Sequence, residues 1–236
     1  MHPIKRTILV TGASSGIGRA IAKHFLNQGH EVIGISRDCS QFKTPMLNFH
    51  PVSIDLGKLQ ELPQRISTLM AQFPDLDAII FSAGVGQFGS LEEFSYDQIQ
   101  GMMTINFISP AYLTRALLPF LKHKSRSDLI YIGSEAALKG SRKGSIYCAS
   151  KFALRGFTQA LREECSKDNI RVCLINPGMV NTPFFDNLTF APGDNEANHL
   201  LPEDVADAAA YVLNSRSHTV IDEINLNPAS KVVKKK

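Results

Sequence analysis

The sequence predicts an α/β fold in which a doubly wound, seven-stranded parallel sheet is flanked by helices on both faces. Short apolar runs recur along the chain, and segments with apolar residues three and four positions apart separate them. The chain has 236 residues, of which 44% are hydrophobic, so it can bury a substantial core of its own. We therefore expect one domain over residues 1–230, followed by a basic, flexible tail over residues 231–236.

The predicted strands are short and mostly apolar, and each is separated from the next by a helix or a turn. They are Thr7–Val10, Glu31–Ser36, Pro51–Ile54, Asp77–Ser82, Asp128–Gly133, Ile170–Asn176 and Val220–Leu226. Amphipathic spacing and capping signals predict the helices. These are Gly16–Asn27, Leu62–Phe73, a helix beginning near Tyr96, Met102–Leu121, Ser145–Ser166, and Pro202 to about Leu213. Only Thr182–Leu201 lacks a regular pattern, as functional lids and disordered segments do.

Charge and composition exclude several classes of partner. Lys and Arg number 25 against 22 Asp and Glu, and the last three lysines account for the excess of +3, so a basic nucleic-acid face is not expected. No apolar run is long enough to span a bilayer, so we expect no membrane partner. The four cysteines form no Cys-x-x-Cys pair, which predicts a cytoplasmic location without metal or disulfides. They are Cys39, Cys148, Cys165 and Cys173.

A glycine-rich turn follows the first predicted strand and leads into a helix. It reads Thr11-Gly12-Ala13-Ser14-Ser15-Gly16-Ile17-Gly18. Glycines let the backbone approach a pyrophosphate, and the amides at the helix N-terminus favour its negative charge. A glycine cluster by itself can be an ordinary turn that binds no ligand. The position of this cluster at the first strand-helix junction favours a Rossmann-type dinucleotide site. The predicted contacts are Gly12, Ser14, Ser15, Gly16, Ile17 and Gly18.

The end of the second strand favours NADP(H) over NAD(H). Ser36 stands where an acid would hold the ribose 2′-hydroxyl of NAD, and Arg37 can pair with a 2′-phosphate. Arg19 can add a second cation. The alternative is a solvated Arg37 with Asp38 on the ribose. Asp55, after the third strand, can accept from the adenine amino group or cap a helix.

Tyr147 and Lys151 are candidates for acid-base chemistry. Residues four apart share one face of a helix, so the ammonium can lie near the phenol. A neighbouring cation favours phenolate and lowers the pKa of a tyrosine, which would let the pair move a proton to or from a carbonyl oxygen. Alone, this pair is more commonly a core tyrosine beside a solvated lysine.

Taken together, the motifs resemble the short-chain dehydrogenase/reductase family over essentially the whole chain. The Thr11–Gly18 segment is similar to the cofactor turn of that family, and Tyr147 with Lys151 is similar to its Tyr-x-x-x-Lys pair. Ser134 matches the family's catalytic serine, and Asn106 matches its catalytic asparagine. Singly, a turn-capping serine or a helix asparagine would explain these two residues.

The resemblance also implies further cofactor contacts. The family's Asn-Ala-Gly after the fourth strand is Ser82-Ala83-Gly84 here, so the amide of the asparagine is lost and a modest effect on stability is expected. Pro177-Gly178 follows the sixth strand and, with Thr182 beyond it, resembles the segment of the family that holds the nicotinamide. The contacts implied are Ala83, Gly84, Asn106, Tyr147, Lys151, Pro177, Gly178, Val180 and Thr182.

By this resemblance, Tyr147 exchanges a proton with the substrate oxygen as hydride moves between nicotinamide and substrate. Lys151 holds the nicotinamide ribose and lowers the pKa of Tyr147, Ser134 binds the carbonyl oxygen, and Asn106 holds a water. The resemblance implies an NADP(H)-dependent oxidoreductase that interconverts a carbonyl and an alcohol. A non-catalytic NADP-binding regulator is the alternative, and a methyltransferase on this fold would leave the four catalytic positions unexplained.

The substrate pocket is expected to be apolar. Phenylalanines in the irregular segment Thr182–Leu201 favour an aliphatic or aromatic ketone. Lys139 or Arg142 could instead receive a carboxylate, which leaves 3-oxo or 3-hydroxy acids open, or both could be solvated rim charges. The predicted pocket residues are Ser134, Glu135, Tyr147, Phe184 and Phe185. The two long helices are apolar on both faces, which together with the resemblance predicts a homodimer or homotetramer.

Overall fold

The computed structural model describes residues 5–38 and 47–236, so Cys39 lies outside the described residues. Its strands are β1 (Thr7–Thr11), β2 (Glu31–Ser36), β3 (Phe49–Ser53), β4 (Leu76–Phe81), β5 (Ser127–Ile132), β6 (Ile170–Pro177), β7 (Phe190–Pro192), β8 (Glu223–Leu226) and β9 (Val233–Lys235). Seven of them form one sheet in the order β3-β2-β1-β4-β5-β6-β8. Every pairing in this sheet is parallel, which confirms the predicted sheet.

Helices cover both faces of the sheet. They are α1 (Gly16–Asn27), α2 (Leu62–Gln72), α3 (Tyr96–Met103), α4 (Ser109–Leu121), α5 (Ser145–Glu164) and α6 (Pro202–Asn214). On one face α1 and α6 bury residues such as Phe25 and Val205, and on the other α2, α4 and α5 bury Leu69, Leu117 and Leu154. Among the described residues no helix is long and apolar enough to cross a membrane.

The strand order places a crevice at one end of the sheet. The chain passes from β1 outward through β2 to β3 and then returns to β4 on the other side of β1. Loops leaving β1 and β4 therefore run in opposite directions and leave a gap at their carboxyl ends, where α/β proteins bind ligands.

One predicted helix boundary is wrong. A helix beginning near Tyr96 and a second over Met102–Leu121 are instead joined, because α3 runs into a π-helical turn over Thr104–Ile108 and then into α4. The π turn inserts an extra residue where Asn106 leaves the regular helix face, and such turns are frequent at functional sites. Side-chain periodicity does not reveal a single inserted residue.

The C-terminal tail also differs from the prediction. Residues 231–236 were expected to be flexible, yet Val233–Lys235 forms β9 and pairs antiparallel with β7. The partner strand lies within Thr182–Leu201, which therefore contains regular structure after all. Both strands are only three residues long, and a lysine-rich tail gives little hydrophobic signal, so neither was predicted.

Candidate active site

The turn between β1 and α1 requires glycine at two of its positions. At Gly12, with φ of +71°, a Cβ atom would lie 2.9 Å from the Cα atom of Ala83. At Gly18, a Cβ atom would lie 2.3 Å from the Gly12 carbonyl oxygen. The side chain of Thr11 accepts hydrogen bonds from the backbone of Ser82 at 3.0 Å and of Ala83 at 3.1 Å. The turn is thus packed directly against the loop that follows β4.

The start of α1 is shaped to receive an anion. Ser15 precedes the helix in an extended conformation, and its side chain does not cap the first-turn amides. Arg19 donates a hydrogen bond to the Ser14 carbonyl, while its buried Nε has no hydrogen-bond partner within the described ranges. A cavity of about 500 Å³ opens here, between α1, the loop 181–183 and the start of α6. Free amides, a guanidinium and close-packed glycines fit the pyrophosphate of a dinucleotide.

The segment after β6 closes this cavity from the other side. A Cβ atom at Gly16 would lie 3.4 Å from the side chain of Thr182. The Gly178 amide donates to the Leu226 carbonyl at 2.7 Å, and Val180 forms a bridge with Leu200. The structure therefore brings the predicted segment from Pro177 to Thr182 up to the glycine turn.

At the far end of the crevice, Arg37 and Asp55 follow neighbouring strands. Arg37 is exposed at the end of β2, and its carbonyl accepts a hydrogen bond from the Ser53 hydroxyl at 2.7 Å. Asp55 uses Oδ1 to accept from the Gly57 amide at 2.9 Å, so one carboxylate oxygen already stabilises a local turn. Both residues lie where the sequence analysis expects the adenosine half of a dinucleotide.

Tyr147, Ser134 and Lys151 meet where the carboxyl end of β5 faces the start of α5. Tyr147 and Lys151 lie one turn apart near the start of α5, with exposed fractions of only 8% and 5%. Ser134 follows β5, and its hydroxyl lies close enough to the Tyr147 phenol to lower the pKa of that phenol by hydrogen bonding. Lys151 donates to the Ile132 carbonyl at 3.0 Å, which fixes its ammonium beside the end of the same strand.

The protonation of this cluster differs from the prediction. Burial raises the pKa of Tyr147 to about 12, and the hydrogen bond from Ser134 only partly opposes that shift. Burial also lowers the pKa of Lys151 to about 8. Loss of hydration therefore sets the direction of both shifts, and for Tyr147 this direction is opposite to the one expected from a neighbouring lysine. The Tyr147 phenol is protonated at neutral pH.

Asn106 joins three parts of the site. Its Nδ2 donates to the Val85 carbonyl at 2.9 Å and to the Ser150 hydroxyl at 3.0 Å, and its Oδ1 accepts from the Val85 amide at 2.9 Å. A Cβ atom at Gly84 would lie 3.4 Å from that Oδ1 and 3.7 Å from the Lys151 ammonium. The π turn thus positions Asn106 to anchor the loop after β4 to α5.

Two supporting residues were missed in the sequence analysis. Asn176, at the end of β6, accepts from the Ser134 amide at 3.2 Å and donates to the Glu223 carboxylate at 2.8 Å. Ser150 links Asn106 to the Tyr147 carbonyl, to which its hydroxyl donates at 2.7 Å. A polar residue at the carboxyl end of an otherwise buried strand was the available signal for Asn176. No comparable signal marks Ser150.

Aromatic rings surround Tyr147. The Tyr147 ring lies 5.1 Å from the ring of Phe88 and 5.9 Å from that of Phe184, measured between centroids. Phe185 and Phe190 extend the cluster, since Phe185 lies 5.2 Å from Phe184 and Phe190 lies 5.0 Å from Phe88. The predicted pocket residues Phe184 and Phe185 are therefore together with Tyr147, and the wall they form is apolar.

Glu135 lies beside this aromatic cluster and is not alone. Its Oε2 is 2.5 Å from the ammonium of Lys231, which comes from the C-terminal segment. The C-terminus therefore reaches the candidate site, a contact that the sequence analysis did not predict. Among the described residues no group of three or more His, Cys, Asp or Glu side chains is arranged to hold a metal ion.

The chain is similar in sequence and in structure to known oxidoreductases. An uncharacterized oxidoreductase of Staphylococcus aureus is 32% identical, with 93% of this chain and 96% of the relative covered. The NADP-dependent 3-hydroxy acid dehydrogenase of Schizosaccharomyces pombe is 30% identical, with 95% and 93% covered. A solved structure of the closed form of serine dehydrogenase, complexed with NADP+, superposes with a TM-score of 0.82 at 26% identity, over 93% of this chain and 94% of that chain. Since the family model for short chain dehydrogenases also matches residues 6–191, the chain belongs to the short-chain dehydrogenase family of oxidoreductases.

Proposed function

We propose that this protein is an NADP(H)-dependent oxidoreductase that interconverts a carbonyl compound and its alcohol, with Tyr147 as the acid and base. The observation that carries the proposal is the burial of Tyr147 next to Ser134, with the Lys151 ammonium 5.9 Å from the centroid of the Tyr147 ring and held there by the Ile132 carbonyl. When bound, the nicotinamide supplies or accepts the hydride.

Each side chain has a role in this proposal. Tyr147 is protonated at neutral pH and donates its proton to the substrate oxygen during reduction, while Ser134 donates a hydrogen bond to the same oxygen. Lys151 would bind the ribose hydroxyls of a bound nicotinamide cofactor, and its charge would favour the phenolate left on Tyr147. Asn106 fixes the loop after β4 and holds the water that links Lys151 to solvent.

The dinucleotide would lie across the crevice, from the aromatic pocket to the end of β2. The glycine turn and Arg19 would bind its pyrophosphate, Thr182 would contact the neighbouring phosphate, and Asp55 would accept from the adenine amino group. Arg37 supports NADP(H), because it can bind a 2′-phosphate next to Ser36. The name of the Schizosaccharomyces relative and the NADP+ in the serine dehydrogenase complex are consistent with this choice.

The substrate is proposed to present an apolar group to the pocket. Four phenylalanine rings line the space around Tyr147, which suits an aliphatic or aromatic ketone. A 3-hydroxy acid is the second candidate, favoured by the name of the relative that is 30% identical. The exposed apolar side chains Tyr112, Phe120 and Phe152 on α4 and α5 support the further proposal of a homodimer or homotetramer.

The experiment that tests this proposal follows the oxidation of NADPH and of NADH in parallel by absorbance. Aromatic ketones, aliphatic ketones, aldehydes, diketones and 3-oxo acids form the panel. We expect turnover with NADPH preferred, and the better of the ketone and 3-oxo acid groups identifies the substrate class. Tight NADPH binding without turnover of any member would instead favour a non-catalytic regulator.

A further inference from the structure

The last residues of the chain lie along the segment that covers Tyr147. We refer to residues 230–236 as the strap and to residues 182–201 as the lid. Beyond the β7–β9 pairing, backbone hydrogen bonds join Lys236 to Thr189 at 2.9 Å, Gly193 to Val232 at 3.0 Å, and Ser230 to Ala197 at 2.8 Å. The contacts with the lid therefore extend from Ser230 to Lys236, along nearly the whole length of the strap.

Side chains of the strap add contacts near the start of the lid and beyond its middle. Lys236 donates to the Phe185 carbonyl at 2.5 Å, at the end of the short helical turn that carries Phe184. Lys234 bonds both carboxylate oxygens of Asp194, at 2.9 and 2.8 Å. The strap thus contacts the part of the lid that carries Phe184 and Phe185.

The opposite side of the lid packs on the body of the domain. The ring of Phe184 lies so close to Gly86 that a Cβ atom there would be 2.1 Å from the ring. Phe190, in β7, contacts Phe88, which in turn contacts Tyr147. Phe190 belongs to β7, and β7 pairs with β9 of the strap. Phe190 therefore connects the strap to the aromatic wall of the pocket.

Lys231 joins the strap to the body directly. Its ammonium is 2.5 Å from Glu135, the residue after Ser134. Both side chains are partly exposed, with fractions of 58% and 30%, so we expect the ion pair to contribute little by itself. Backbone pairing therefore supplies most of the connection, and the ion pair adds one contact between the start of the strap and the site.

We propose that the strap is a positioning element of the active site, which orders the lid so that Phe184, Phe185 and Phe190 form the apolar wall of the substrate pocket. This inference rests on the proposed function for its kinetic consequence, but the ordering of the lid does not depend on it. Without the strap, residues 189–197 of the lid would lose the backbone hydrogen bonds that the strap supplies, and the pocket would lose its fixed shape. The glycine turn and β1–β6 would be unaffected.

Two pairs of variants test this proposal. The first compares the full chain with a chain truncated after Ala229, which lacks the whole strap. The second compares Lys234→Pro, which removes the amide hydrogen at the centre of the strand pair, with Lys234→Thr, which loses the same Asp194 contact but keeps that amide. Circular dichroism and NADPH binding establish that each variant is folded.

Hydrogen exchange measured by mass spectrometry is the readout that does not depend on activity. We expect exchange of lid peptides over residues 183–193 to accelerate by about tenfold or more in the truncated chain and in Lys234→Pro, with Lys234→Thr close to the full chain. Peptides from β4, β5 and α5 should be unchanged. Unaltered exchange of the lid in both disrupted variants would overturn the proposal.

Kinetics with the best carbonyl compound of the panel provide the second readout. We expect KM for that compound to rise by about tenfold in the disrupted variants, with a smaller change in kcat and in the Kd for NADPH. A KM that rises no more than the Kd for NADPH would also overturn the positioning role. If no carbonyl compound is turned over, the proposed function fails, and hydrogen exchange still decides whether the strap orders the lid.

Discussion

The Lys151 ammonium lies 5.9 Å from the centroid of the Tyr147 ring, and both side chains are buried. Burial acts on the two groups in opposite directions, since it raises the pKa of the phenol to about 12 and lowers that of the ammonium to about 8. Each shift opposes ionisation, as loss of hydration does for any charged group. The same burial therefore keeps the Tyr147 phenol protonated at neutral pH and destabilises the charged form of Lys151.

Replacing Tyr147 by phenylalanine should abolish turnover and leave NADPH binding nearly intact. The variant keeps the ring that packs on Phe88 but lacks the proton, and general acid catalysis typically contributes about a hundredfold to ten-thousandfold in rate. Steady-state kcat and fluorescence titration with NADPH measure the two effects.

Tyr131→Phe is the matched control for this experiment. Tyr131 is fully buried, and its hydroxyl is 2.6 Å from that of Thr114 rather than near the site. We expect the control to lose some stability and to keep its kcat. If Tyr147→Phe retains kcat within about tenfold of the control, another group donates the proton.

Replacing Lys151 by methionine should stabilise the cofactor-free protein while it abolishes activity. The pKa of Lys151 is 10.5 in the unfolded reference and about 8 in the fold, so below pH 8 both states are protonated and folding bears the full cost of burying the charge. That cost decreases as the pH rises from 8 to 10.5, because the folded state loses its proton first. After allowance for the lost bond to Ile132, we expect about 1–3 kcal/mol of added stability near pH 7.

Urea unfolding at about pH 7 and about pH 10 measures this effect as a difference in the free energy of unfolding between variant and parent. The exposed Lys167, replaced by methionine, is the control and should change little at either pH. A Lys151→Met variant that is destabilised, or equally stabilised at both pH values, would contradict the assigned cost of burial.

The site could be predicted from the sequence where local chain geometry decides position. The glycine turn and the Tyr147–Lys151 pair each lie next to a strand or helix that the apolar pattern identifies, so parallel pairing brings them to one edge of the sheet. Ser134 was expected there only from the family resemblance. The identity of the sheet neighbours then follows from the usual doubly wound order.

Features that depend on contacts distant in sequence could not be predicted in this way. Ser150 bonds Asn106 across 44 positions, and Lys231 reaches Glu135 across 96, with no periodic pattern to announce either contact. The direction of the Tyr147 pKa shift depends on how completely the fold excludes water, which residue spacing does not measure. Tertiary burial and side-chain bonds decided these three features.

Replacing Asp128 by asparagine should destabilise the fold without changing the site. Asp128 is buried at the start of β5 and accepts from Arg6 at 2.9 Å, Arg126 at 3.2 Å and Arg171 at 2.7 Å. Without the carboxylate, the buried Arg171 guanidinium loses its counter-charge, and removing one partner of such a pair costs about 3–5 kcal/mol. Thermal and urea unfolding measure the loss.

Asp222→Asn is the control for Asp128. Asp222 is 63% exposed and pairs with Arg162 at 3.2 Å, so its removal should cost about 1 kcal/mol or less. Equal destabilisation by the two substitutions would contradict the importance of burial. At temperatures where both variants remain folded, kcat should match the parent, because this cluster lies at the opposite end of the strands from Tyr147.

Replacing Arg37 by alanine should weaken NADPH much more than NADH. Arg37 is exposed at the end of β2, and within the described ranges its guanidinium forms no ion pair, so it is available for a 2′-phosphate. A charge-assisted bidentate contact is worth about 1.5–3 kcal/mol, which predicts a rise of about tenfold to a hundredfold in KM for NADPH. Arg37→Lys keeps the charge but not the planar pair of donors and should be intermediate. Steady-state kinetics with both cofactors measure the ratio, and an equal change for NADH would assign cofactor choice to another residue.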